Sequence, residues 1–170
     1  MKRHICVAAI VLCIVASLAG AGTARAQANS SDKAAIEANY RKFADAFDKK
    51  DVNGIMMLFA PDVFVYDVIP PRQYTSADAY RKDWEDTFAA FPGPVTTNVT
   101  DLNITVAGSV AYTRYVIDGT MTDKDGKAER LVVRSTDVWR KINGKWLIVQ
   151  EHNSFPVDLT TGQADLLSKP

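Results

Sequence analysis

The 170-residue chain reads as an α+β fold in which a strongly curved, mixed or antiparallel sheet packs on three N-terminal helices, making a cone with one open end. Three observations predict it. Helical periodicity is confined to residues before 91. From residue 95 to residue 155 the pattern is β throughout, in runs of more than ten residues. Such runs exceed ordinary strand length, so they must twist, curve or bulge. The last two runs are joined by Asn143-Gly144, the strongest short-range hairpin signal.

The elements follow in order. Residues 1–28 have the form of a secretory leader: a basic start at Lys2, Arg3 and His4, an apolar run from Ile5 to Ala21, and small-x-small exits around Ala24, Ala26 and Ala28. Cleavage there implies a periplasmic or secreted bacterial protein, with no membrane association afterwards. Both cysteines, Cys6 and Cys13, lie in this segment, so the mature chain is expected to carry no thiol, no disulfide and no cysteine metal site. Residues 29–170 are expected to form a single domain with a short C-terminal tail. In residues 32–50, Ile36, Tyr40, Phe43 and Phe47 mark one helical face, with Asp32 placed to cap it. Asp51 caps a second short helix over residues 52–59, ended by Pro61. Residues 63–69 form a β-rich run stopped by Pro70-Pro71. Thr75 and Asp78 suggest a capping box for a third helix over residues 77–90, whose buried stripe is Tyr80, Trp84 and Phe88. Strands are expected over residues 95–106, 110–122, 128–140 and 145–155.

Charge is balanced, with 20 basic and 20 acidic residues and no basic stripe, which argues against nucleic acid as a partner. A mature chain of about 140 residues suffices for one modest core. The terminal hairpin carries polar groups where a plain core strand would carry valine. Asp137 stands two residues before Trp139. By strict alternation Gln150, His152 and Ser154 share a face with Trp146 and Ile148, a greasy floor with a polar mouth. A lone strand histidine is more often a core residue than a catalyst, but this alternation favours a pocket for His152. With one histidine outside the leader and no cysteine there, neither a metal nor a cofactor is expected. Arg72, after the double proline, serves equally as a rim contact or a solvated loop charge. Trp84 is a candidate pocket wall, although a tryptophan on such a stripe also suits a core or dimer face.

The order of these motifs resembles the NTF2-like superfamily, in its ketosteroid-isomerase-like and SnoaL-like branches. Asp51-Val52-Asn53-Gly54-Ile55, Leu58-Phe59-Ala60-Pro61-Asp62 and Val65-Tyr66-Asp67 look like the isomerases' first helical hairpin and first strand. The ending, from Trp139 through Asn143-Gly144 and Trp146 to His152 and Ser154, is similar to the SnoaL-like branch. The resemblance implies a general base at Asp67 and a neutral carboxylic acid at Asp137 that donates to a substrate oxygen. The isomerases' oxyanion tyrosine falls at Phe43, which lacks a hydroxyl; Tyr40 is the nearby substitute. His152 would assist Asp67 and Asp137, with Tyr40, Phe43, Arg72, Trp84, Gln150 and Ser154 about the substrate. Three functions fit: a proton-transfer enzyme on a small hydrophobic carbonyl compound, a non-catalytic module for a small amphipathic ligand, and a homodimeric assembly domain.

Overall fold

The computed structural model describes residues 5–167, with residues 5–26 described by backbone alone. The expected leader therefore lies, but for Gln27 and Ala28, outside the residues whose side chains are described. Chain order is α1 (Ile5–Asp48), α2 (Val52–Met56), β1 (Phe59–Tyr66), α3 (Ala77–Ala90), β2 (Val95–Ala107), β3 (Val110–Thr122), β4 (Ala128–Ile142) and β5 (Lys145–Ser154). The five strands form one sheet in the order β1-β5-β4-β3-β2. β1 runs parallel to β5 and every other pair is antiparallel, so the sheet is mixed. Among the described residues no helix is long and apolar enough to cross a membrane.

The helices pack as the periodicity predicts. Ile36, Tyr40, Phe43 and Phe47 are all buried. Phe43 and Phe47 meet Trp84 of α3 edge-on, with ring centroids 6.1 and 5.8 Å apart. Such pairs add modestly to the free energy of area burial. Ser76, rather than Thr75, caps α3: its Oγ accepts from the Ala79 N–H at 3.2 Å. Asp32 is no cap either, because α1 continues through it. Its carboxylate accepts from Lys141 Nζ at 2.6 Å and from the Trp146 indole N–H at 3.0 Å, fastening the helix to the terminal hairpin. The Lys141 hydrogen bond, partly offset by burial, holds this carboxyl below its usual range.

β1 begins at Phe59, four residues before the expected start, and contains Pro61. A proline that ends a helix in sequence terms is tolerated here because β1 is an edge strand with an unpaired side. Asn143 and Gly144 have φ of 49° and 80°, the left-handed pair that a tight hairpin turn requires.

Two bulges shape the concave face. In β2, Thr100 pairs with Val116 and Asn103 with Arg114, so Asp101 and Leu102 together oppose Tyr115. In β5, Ile148 pairs with Trp139 and Gln150 with Val138, so Val149 is an extra residue. An extra residue reverses the in–out alternation beyond it. Ile148 therefore points inward, and so does Glu151, while Gln150 and His152 point out.

Candidate acid–base site

The β-sheet register builds the site. Thr113 on β3, Asp137 on β4 and Glu151 on β5 are successive cross-strand partners. The next row on the same face is Tyr115, Ser135 and Asn153. Directly opposed side chains lie about 5 Å apart at Cβ, so this is a compact polar grid on an otherwise apolar concave face. Asp137 is 0% exposed and Glu151 5%.

Each half of the grid has its own partners. Tyr40, reaching in from α1, donates to Asp137 Oδ2 at 2.6 Å, and Tyr115 donates to Oδ1 at 3.3 Å. The Tyr40 hydroxyl also lies 2.5 Å from Thr113 Oγ1, which accepts from the Trp139 indole N–H at 3.0 Å. Both oxygens of Asp137 are thus engaged. On the other side Tyr80 of α3 donates to Glu151 Oε1 at 2.6 Å, and Asn153 Nδ2 donates to the same oxygen at 3.0 Å. Asn153 Nδ2 also reaches Asp67 Oδ1 at 3.4 Å, and its carbonyl accepts from Ser135 Oγ at 2.6 Å. Asp67 Oδ1 accepts from the Val68 N–H at 2.7 Å. Asp67 is also hydrogen-bonded to the Asp83 carboxyl, whereas among the described residues no hydrogen bond reaches Glu151 Oε2.

The three carboxyls are displaced upward for one leading reason, loss of water. Burial pushes Asp67 up to about 6; the Val68 N–H opposes this, and the negative charge of Asp83 adds to it. Asp83 is held in turn by the Tyr74 hydroxyl, which donates to it at 2.6 Å. Burial pushes Asp137 up to about 7 against the hydrogen bonds from Tyr40 and Tyr115. Glu151 is pushed well above the carboxylate range by burial and then by the facing Asp137. Two carboxyls opposed in a dry face cannot both ionise, so near neutrality this pair holds a proton between them.

The expected residues fall in three groups. Asp67, Asp137 and Tyr40 converge on the concave face. His152, Gln150 and Ser154 do not join them, because the Val149 bulge turns their side outward. His152 is exposed and lies edge-on to the Tyr66 ring, with centroids 5.5 Å apart. Gln150 is exposed, and Ser154 reaches back to the Arg134 carbonyl at 3.5 Å. Arg72 is exposed in the loop after the double proline. Phe43 and Trp84 line the aromatic part of the core; the Trp84 indole N–H is buried without a hydrogen-bond partner among the described residues. Sequence reasoning missed Glu151, Asn153, Thr113 and Ser135. No grouping of three or more His, Cys, Asp or Glu side chains suited to a metal ion occurs among the described residues.

The comparisons agree with this architecture. A SnoaL-like domain model matches residues 36–158. An NTF2-like protein of unknown function from Pseudomonas putida KT2440 is 25% identical, with a TM-score of 0.76 over 83% of this chain and 98% of that one. A candidate scytalone dehydratase from Novosphingobium aromaticivorans is 21% identical, with a TM-score of 0.69 over 75% and 86% of the two chains. A ketosteroid isomerase-like protein from Erwinia carotovora atroseptica is 19% identical, with a TM-score of 0.61 over 71% and 93%. No curated protein matches the chain.

Proposed function

The chain belongs to the SnoaL-like domain family, within the NTF2-like superfamily, and from that premise we propose that it is an exported proton-transfer enzyme of the isomerase or lyase type acting on a small hydrophobic carbonyl compound. One observation carries the reading. Asp67 and Glu151 are bridged by a single amide nitrogen, Asn153 Nδ2, and Glu151 keeps an oxygen that no described residue bonds.

Asp67 is the base. With its carboxyl near 6 it is ionised at neutral pH yet basic enough to remove a proton next to a carbonyl. Glu151 is the neutral acid: Oε1 is fixed by Tyr80 and Asn153, and the proton on Oε2 is offered to the carbonyl oxygen, where negative charge develops. Returning the proton from Asp67 to a different carbon gives isomerisation; loss of a β-hydroxyl as water gives elimination. Asp137 stands behind Glu151 and helps keep it protonated. Two of the three neighbouring structures carry names in this reaction class, a dehydratase and a ketosteroid isomerase-like protein, although at their identities they speak to the fold.

Export follows from the leader-like residues 1–28. Self-association is part of the same reading. The outer sheet face carries Tyr66 and Tyr112, 38% and 49% exposed, suited to a second copy. Sedimentation at twice the monomer mass is the expected result.

The test is hydrogen–deuterium exchange next to the carbonyl of enolisable ketones in D₂O, a β,γ-unsaturated ketosteroid among them, followed by NMR. Catalysed exchange that Asp67→Asn removes supports the reading. Exchange at the wild-type rate in Asp67→Asn places the base elsewhere. Saturable ketone binding without exchange favours a carrier.

A further inference from the structure

A second concavity lies between α1 and the edge strand β2, and it encloses about 390 Å³. Tyr40, Arg41 and Ala44 wall it from the helix, and Thr97, Asn98, Val99 and Leu102 wall it from the strand. The β2 bulge lies in this wall: Asp101, with φ of 53°, and Leu102 crowd opposite Tyr115. A bulge bends an edge strand, and Ala44 leaves the helix side shallow, so the two elements do not close on each other.

Three features make this groove a binding site rather than a packing gap. Thr97 Oγ1 is buried and has no hydrogen-bond partner among the described residues, a costly arrangement unless an incoming group meets it. Arg41 is exposed at the rim and forms no ion pair among the described residues. Between these polar points the wall is apolar, formed by Ala44, Val99 and Leu102. Glu37 lies on the rim one turn before Arg41 and disfavours a second negative charge.

We propose that this groove binds a small amphipathic monoanion, with its carboxylate on Arg41, its apolar body on Ala44, Val99 and Leu102, and a second polar atom on the Thr97 hydroxyl. The shape and chemistry match an aromatic or short aliphatic monocarboxylic acid carrying one hydroxyl or carbonyl. The groove shares Tyr40 with the shell of Asp137 but holds neither Asp67 nor Glu151, so it stands whether or not that pair moves protons.

The probe is 4-hydroxyphenylacetate, titrated into the full chain and followed by amide chemical shifts. Saturable shifts are expected at Ala44 and at Thr97 through Val99. Tyrosol, which lacks the carboxylate, and the Arg41→Ala variant should each weaken binding about tenfold or more, the effect of one charge-assisted contact. Phenylacetate and Thr97→Val should each weaken it about fivefold, and Asp67→Asn should leave it unchanged. Arg41 is exposed, so its substitution leaves the fold intact and the comparison readable. Equal binding of tyrosol, indifference to Arg41→Ala, shifts confined to Asp67, Tyr80 and Glu151, or no saturation below about 10 mM would each overturn the proposal.

Discussion

Asp137 and Glu151 face each other across β4 and β5, yet they live differently. Asp137 is closed: Tyr40 and Tyr115 each take one of its oxygens, and Thr113 and Trp139 lock Tyr40 from behind. Glu151 is half open: two donors converge on Oε1, and Oε2 meets no described residue. Asp67, one strand further on, is only half-buried and shares the Val68 N–H, Asn153 and the Asp83 carboxyl as partners. Asp137 and Glu151 are both buried carboxyls, so burial does not distinguish that pair. The number of unsatisfied oxygens does. A saturated buried carboxyl holds structure and sets its neighbour's charge, whereas an unsaturated one can exchange a proton with something that enters.

The largest expected effect tests the open side. Asp67→Asn and Glu151→Gln should each lower proton-exchange rates by about 10²- to 10⁴-fold, the usual weight of a general acid or base. Urea unfolding of Glu151→Gln should stay within about 1 kcal/mol of the parent, because the amide keeps the acceptor for Tyr80 and Asn153. A variant that unfolds instead would place Glu151 with the structural carboxyl.

The closed side should answer the other way. Tyr40→Phe removes one donor from Asp137 and one of the two partners of Thr113 Oγ1, so it should cost about 1–3 kcal/mol in the same urea experiment. An unchanged midpoint would mean that Asp137 does not depend on its shell.

A smaller effect is read from pH. Asp67 and Asp137 are raised from 3.8 to about 6 and about 7, so between those values the folded state binds more protons than the unfolded one. Their contribution to stability is full below about 4 and is lost as pH rises through the folded values. Asp32, held below its usual range, works oppositely and only in more acid solution. Tm should therefore fall between pH 5 and pH 8, and Asp137→Asn should flatten the slope. A Tm that rises over this interval contradicts the assignment.

The smallest effect belongs to the outer face. His152→Ala should change stability by no more than about 0.5 kcal/mol and leave proton exchange untouched, since the ring is exposed against Tyr66.

Most of the fold was legible because its signals are local. The four-three-four spacing of Ile36, Tyr40, Phe43 and Phe47 reports a helix face wherever that helix ends up. Asn143-Gly144 needs only its own backbone to make a turn. Pro61 misled because its meaning depends on an unpaired edge, which is a tertiary fact. The site was half legible. Asp67 and Asp137 are found from the family resemblance, and Tyr40 as the substitute for the hydroxyl that Phe43 lacks. Glu151 was hidden by one residue: strict alternation from Ile148 places it outside, and the Val149 bulge brings it in. A strand of that length invites a bulge, but nothing in the order Ile148-Val149-Gln150 says where. An acidic side chain between Gln150 and His152 was the available clue.

Site-resolved titration of the carboxyl carbons by NMR tests the contrast between open and closed carboxyls most directly. With Asp and Glu side chains labelled, Asp67 should titrate at about 6 and Glu151 should stay protonated through neutral pH, while Tyr40→Phe moves Asp137 upward by removing a donor to its charged form. Ordinary carboxylate values near 4 at both Asp67 and Glu151 would contradict the account.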